Sequence, residues 1–100
     1  MTDICLTLLC PPAVEEKLLD FLLMSPDITI FTSTVTAAHG LDHEKLDQME
    51  KVLGRARAIQ IQVIFAAADK AALLAEIHRQ FPGTGLRYWV STVVEAGELA

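Results

Sequence analysis

Two histidines and their acidic neighbours are the side chains of this sequence best suited to bind a metal ion. His39 and His43 are separated by three residues, and Asp42 and Glu44 flank the second histidine. Imidazole nitrogens bind transition metals, and a carboxylate can add a further ligand. Zinc sites usually have three or four protein ligands, so two histidines alone are more often ordinary solvent-facing loop residues. These four residues are a candidate site for Cu, Zn, Ni or Co, which subunit symmetry could complete.

The two cysteines offer softer metal ligands. Cys5 and Cys10 lie an odd number of positions apart on one extended segment, so their side chains point to opposite faces and cannot form a local disulfide. Thiolates select Cu(I), but free cysteine is among the most buried residue types. We expect Cys5 to be buried in the core and Cys10, at the strand end, to be the more accessible thiol. His78, among polar helix residues, is expected to be solvated.

A glycine-rich turn is the candidate anion site of the sequence. It consists of Gly83, Thr84 and Gly85. Backbone amides of such a turn can cradle an anion, but a plain helix-to-strand turn also uses glycine for its positive φ. Both interpretations stay open. No serine or cysteine has a recognisable base beside it, and no carboxylate pair stands out, so we expect a protein that is not an enzyme.

Six secondary-structure elements are needed to position these residues. Runs of β-branched and apolar residues predict strands, and apolar residues at helical spacing predict helices. Pro12 suits a first helical turn, Asp69 is the expected N-cap of the second helix, and Pro82 stops that helix. The predicted strands are residues 4–9, 28–38, 57–66 and 86–94, and the predicted helices are residues 12–25 and 70–81.

The order of these elements repeats a strand-helix-strand unit on both sides of a charged, exposed connection at residues 41–55. Two such units are typical of the split βαβ motif, and right-handed crossovers place both helices on the same side of the sheet. We therefore predict one α+β domain over residues 1–100. It is a ferredoxin-like βαβ-βαβ sandwich with an antiparallel four-stranded sheet and two helices on one face.

The other face of the predicted sheet carries large apolar residues as well. Tyr88 and Trp89 alternate on the fourth strand, so one of them faces away from the helices, and Ile64 lies on the polar side of the third strand. A solvated face would alternate with polar residues. Exposing such large side chains forfeits about 2–3 kcal/mol each, so we expect this face to be buried in a homo-oligomer.

Composition excludes some classes of partner. The chain of 100 residues has a net charge of −5 and only eight lysines and arginines, which argues against nucleic acid as a partner. No apolar run approaches the roughly 18 residues that span a bilayer, and the N-terminus lacks the basic start of a signal peptide. We expect a cytoplasmic protein without direct membrane insertion.

Several short motifs resemble those of PII-type signalling proteins. They are residues 35–40 (VTAAHG), the strand at 57–64, and the turn at 83–85 followed by 87–90 (RYWV). The chain looks most like a small group of PII-like bacterial proteins of unknown function associated with heavy-metal efflux pumps of the resistance-nodulation-division class. The CutA cation-tolerance proteins share this architecture. The resemblance implies a homotrimer whose sheets line its centre.

The resemblance also implies a ligand site. In PII proteins a long mobile loop docks on targets, and nucleotide binds between subunits near its base. Residues 41–55 are the shortened equivalent of this loop. Gly40 matches a glycine at the loop base, Gly83 and Gly85 match the turn near the phosphates, and Arg87 lies one place from a basic residue of that turn.

Three acidic residues depart from the PII pattern. Asp42 stands where the family has a second glycine, and Glu95 and Glu98 replace basic residues after the last strand. Carboxylates at those positions oppose the binding of phosphates.

These observations lead to one expected function and several alternatives. We expect a PII-like regulatory or sensor protein that binds a small ligand or metal ion and modulates a partner, such as a subunit of a membrane efflux pump. The alternative is a metal-binding buffer or tolerance protein of CutA type. Less favoured are a nucleotide-binding PII nitrogen regulator and a small enzyme subunit.

Overall fold

The predicted order of elements is present in a computed structural model, which describes residues 2–28, 30–40 and 55–99. The strands are β1 (Asp3–Cys10), β2 (Phe31–His39), β3 (Arg55–Ala66) and β4 (Arg87–Val93), and the helices are α1 (Glu15–Leu23) and α2 (Lys70–Gln80). A short 3-10 turn precedes each helix, at Pro12–Val14 and Ala67–Asp69. The element boundaries differ from the predicted ones by at most three residues.

The four strands form one antiparallel sheet in the order β2-β3-β1-β4. The central strand β1 pairs with β3 on one side, where Ile4 faces Phe65, and with β4 on the other, where Ile4 faces Thr92. A four-stranded antiparallel sheet with two helices is compatible with a ferredoxin-like fold. In the described part of the chain, no helix has the length and apolar character needed to cross a membrane.

The helices cover the face of the sheet that carries the even-numbered residues of β1. Ile4, Leu6 and Leu8 are at most 6% exposed and pack in one cluster with Leu18 and Leu22 of α1. The same cluster includes Ile77 of α2 and the odd-numbered residues of β3, among them Ile59, Ile61, Val63 and Phe65. Since both alternating residue sets of these strands are partly apolar, the sequence alone leaves the covered face undecided.

The two helices end on local hydrogen bonds. After α1, the Met24 amide donates to the Asp20 carbonyl (3.1 Å) and the Ser25 hydroxyl to the Phe21 carbonyl (2.9 Å). Asp69 occupies the N-cap position of α2, as predicted, but its side chain makes no capping hydrogen bond. The residue already has helical dihedral angles, φ −92° and ψ −2°, at the end of the 3-10 turn, whereas a capping side chain usually needs extended backbone.

The uncovered side of the sheet, which we call the open face, divides into an apolar and a polar part. Trp89 is 49% exposed and Ile64 is 42% exposed, and the registers place both on the side of Cys5, away from the helices. Tyr88 faces the helix side, as the alternation requires. The β2 half of the open face is polar, with threonines and glutamines at Thr32, Thr34, Thr36, Gln60 and Gln62.

Candidate functional site

A cavity of about 350 Å³ lies at the end of the sheet where β1 and β2 finish and β3 and β4 begin. We call it the strand-end cavity. Its walls come from the first residues after β1 (Pro11, Pro12 and Ala13), the ends of the strands, and the turn before β4. The antiparallel order of the sheet explains this convergence, because the last residues of β1 and β2 lie beside the first residues of their neighbours.

Small residues form the floor of the strand-end cavity. Ala38, Ala56 and Ala58 are at most 7% exposed and form a cluster against Leu9. A methyl group fills little of the space above a sheet, so three alanines on neighbouring strands leave a depression. The floor is therefore a consequence of where alanines fall in β2 and β3.

Two arginines, Arg57 and Arg87, line the strand-end cavity. Arg87 pairs with Leu9 on the open face. Arg57 pairs with Ala37 and belongs to the odd-numbered residues of β3, the set that faces the helices. Both side chains are solvent-exposed. Among the described residues, the lining includes no aspartate or glutamate. Guanidinium groups bind phosphate and carboxylate through paired N–H donors, so this lining suits a small anion.

The glycine-rich turn forms one wall of the same cavity. Gly83 and Gly85 have φ angles of +67° and +81°, which favour glycine, so the turn geometry alone accounts for both residues. The Thr84 hydroxyl donates a hydrogen bond to the Phe81 carbonyl (2.9 Å). Its proton is thus used inside the turn and is not offered to a ligand. Thr84 and Gly85 line the strand-end cavity, while Gly83 lines an adjoining cavity of about 240 Å³.

The accessibilities expected for the two cysteines are wrong, because the structure reverses them. Cys10 is fully buried and donates a hydrogen bond from its thiol to the Pro11 carbonyl (3.2 Å), whereas Cys5 is half-buried on the open face. Cys10 belongs to the even-numbered, helix-facing set of β1. Burial first, and then the charge of Glu15, raise the pKa of the Cys10 thiol to about 11. This thiol is protonated at neutral pH and is a poor metal ligand.

The predicted metal site lies mostly beyond the described residues. His39 ends β2 with an exposed side chain, opposite Arg55 in the register, but Asp42, His43 and Glu44 fall outside the described residues. Within residues 2–28, 30–40 and 55–99, no three histidine, cysteine or acidic side chains are grouped in a way that could hold a metal ion. His78 is exposed, as predicted, and its ring meets Tyr88 edge-on with centroids 6.5 Å apart.

The structure thus brings together part of the predicted anion site and adds residues to it. Thr84, Gly85 and Arg87 line one cavity, whereas Gly40, with φ +80°, is not part of its lining. Sequence reasoning missed Arg57 as a site residue. The sequence did contain one signal for the cavity. Ala38 near the end of β2, and Ala56 and Ala58 near the start of β3, are small enough to predict a depression in the sheet surface.

Comparisons with known proteins bear on family and fold. A family model described as "Protein of unknown function (DUF3240)" matches residues 1–100. The crystal structure of a DUF3240 family protein from Shewanella baltica OS155 is 18% identical, with a TM-score of 0.83 over 100% of this chain and 99% of that one. A Bacillus cereus protein related to NIF3 is 14% identical, with a TM-score of 0.72 over 97% of this chain but 26% of its own. No curated protein matches the chain.

Proposed function

The chain belongs to the DUF3240 family, a family of proteins of unknown function, and we propose that this member is a regulatory module that binds a small anionic ligand in the strand-end cavity. The observation that carries the proposal is the presence of Arg57 and Arg87 in the lining of one cavity without a lining carboxylate in the described part of the chain. Two guanidinium groups provide the charge and the paired donors that a phosphate or carboxylate needs.

The size of the cavity supports a small molecule as the ligand. A volume of about 350 Å³ falls within the range of roughly 300–1,000 Å³ that is common for ligand sites. The acidic tail is a weaker objection to anion binding than the sequence suggested. β4 begins at Arg87 beside the cavity and ends at Val93 at the opposite end of the sheet, so Glu95 and Glu98 follow the far end of the strand.

A regulatory role is supported by where the cavity lies relative to the connection at residues 41–55. β2 and β3 pair up to His39 and Arg55, so Ala38 and Ala56 in the cavity floor belong to the stem of that connection. A ligand that contacts the stem can favour one conformation of the connection over another. We propose that the connection contacts the partner, and that the partner is a subunit of a membrane efflux pump, as the resemblance to PII-like proteins implies.

A homotrimer completes the proposal. The half-exposed Trp89 and Ile64 on the open face favour burial against other copies of the chain. A neighbouring subunit would then also close the strand-end cavity, which adjoins this face through Leu9 and Arg87.

Metal binding is a second candidate function. The exposed His39 at the stem of the connection favours it. With Asp42, His43 and Glu44 it would bind Cu, Zn, Ni or Co. The protein would then be a metal sensor, or a buffer of CutA type that carries the ion itself.

A thermal-shift screen separates these proposals. The purified protein is heated with pyrophosphate, ADP or ATP, and separately with Cu, Ag, Zn, Cd, Ni or Co ions. A ligand that binds only the folded state at 100 times its Kd adds about 2.7 kcal/mol to stability. We expect an anion response that Arg57→Gln and Arg87→Gln reduce and that Lys70→Gln, an exposed change on α2, leaves intact. A metal response lost in a His39→Ala/His43→Ala variant, without any anion response, would favour the metal site instead.

A further inference from the structure

We propose that the groove between the two helices binds a basic amphipathic helix of a partner protein. This inter-helix groove has a volume of about 360 Å³ and is lined by the end of α1, the residues that follow it, and one side of α2. It lies at the Phe65 end of β3, whereas the strand-end cavity lies at the Ala56 end of the same strand. The inference is independent of anion binding.

The helices touch at one end and leave the groove at the other. Near the start of α1 and the end of α2, the Lys17 ammonium donates to the Gln80 carbonyl (3.2 Å) and lies 5.0 Å from the centre of the Phe81 ring. The Phe21 and Phe81 rings meet edge-to-face with centroids 5.9 Å apart. Toward the other end, the space between Met24, which follows α1, and the first turns of α2 is open.

One continuous stripe of α2 borders the groove. Ala72, Leu73 and Glu76 follow one another at helical spacing, so they share a single face of the helix. A straight wall of this kind suits a helix laid along it, as in complexes where an amphipathic helix occupies a groove between helices. A partner helix can then contact several turns of α2 at once.

The floor of the groove is apolar and its rim exposes more apolar surface. Phe65 is buried beneath it, Phe21 and Leu73 are half-buried along its sides, and Met24 at the rim is 84% exposed. Leu23, next to Met24, is 70% exposed. Methionine adapts its shape to different partners and is frequent at surfaces that bind helices. These side chains predict that the occupant carries large apolar residues on one side.

The charged residues around the groove determine which charge its occupant should carry. Asp27, Asp69 and Glu76 line it, and among the described residues no lysine or arginine does. Arg79 and Gln80 donate hydrogen bonds to the Glu76 carboxylate and, in that order of importance, lower the pKa of Glu76 to about 2.

Two of the three carboxylates are available to a partner. Within the part of the chain that the structure describes, neither Asp27 nor Asp69 takes part in an ion pair. Lysine or arginine residues beside the apolar side of a partner helix would complement them. The same charges disfavour an acidic segment or an anionic membrane as the occupant.

Peptide binding to matched variants tests the inference. The probe is a fluorescein-labelled synthetic helix with leucines on one side and lysines flanking them, and the comparison probe has glutamates in place of the lysines. Fluorescence polarisation should show saturable binding of the lysine probe only. Ala72→Trp fills the groove from an exposed position and should weaken binding at least tenfold, whereas Ala71→Trp, exposed but outside the groove, should not.

A second variant tests the charges without changing shape. Asp27→Asn combined with Asp69→Asn should weaken binding by about 2- to 30-fold, the range expected for two exposed ion pairs. Asp20→Asn, an exposed change on α1 away from the groove, should have no effect. Absence of saturable binding, equal affinity for the Ala72→Trp and Ala71→Trp proteins, or equal binding of the glutamate probe would each overturn the proposal.

Discussion

Replacing Trp89 by alanine should dissociate the proposed trimer. Trp89 is 49% exposed in the single chain, and a large aromatic residue can bury up to about 250 Å², so about 120 Å² is left for an interface. At about 25 cal/mol per Å² this area is worth about 3 kcal/mol for each subunit, an upper value because association has its own costs. Three subunits lose this contribution together. The concentration at which half the trimer dissociates should therefore rise on the order of a hundredfold or more.

Light scattering over a dilution series measures this change, and Tyr88→Ala is its matched control. Tyr88 is 48% exposed, almost the same as Trp89, but it lies on the helix side of the same strand. The control should retain the mass of the native protein at every concentration at which Trp89→Ala dissociates. A native protein that is monomeric throughout, or equal dissociation of both variants, would refute the argument that the open face is the interface.

Three further predictions concern single residues. In the Trp89→Ala protein, iodoacetamide should label Cys5 before Cys10, because the Cys10 thiol is buried and protonated. Mass spectrometry measures the order of labelling, and the reverse order would contradict the packing. The pKa of Glu76 is about 2, below its ordinary 4.5, so its carboxylate stabilises the fold above pH 4.5 and this contribution is lost as the pH falls toward 2. The difference in Tm between the native protein and Glu76→Gln should shrink over that interval, and a constant difference would count against the hydrogen bonds. Gly85→Ala should lower the free energy of unfolding in urea by about 1–2 kcal/mol, because φ at Gly85 is +81°. Gly97→Ala, in open space without a positive φ, should leave it unchanged. Equal effects of the two substitutions would show that the turn tolerates a side chain.

The fold was largely predictable from local patterns. Alternating apolar residues, proline positions and helical spacing are short-range signals, and the elements they predict are present in the described residues. The covered face of the sheet was not predictable, because apolar side chains occur on both sides of β1. Cys5 and Cys10 illustrate the consequence: parity correctly places them on opposite faces, but only the packing of α1 and α2 decides which one is buried.

The candidate site was only partly predictable because its residues come from distant parts of the chain. Thr84, Gly85 and Arg87 stand out in a single short segment, as glycine-rich turns do. Arg57 comes to line the same cavity as Arg87 through the pairing of β1 with both β3 and β4, which no local pattern encodes. The groove beside α2 was not predictable, because it depends on where the two helices touch.

Calorimetric titration of the protein with pyrophosphate measures the proposed anion binding in the strand-end cavity. We expect saturable binding to the native protein, the same affinity for Lys70→Gln, and an affinity at least tenfold weaker for the Arg57→Gln/Arg87→Gln protein. That loss should occur in a protein that still unfolds cooperatively. Absence of binding to the native protein, or an unchanged affinity in the double arginine variant, would contradict the claim.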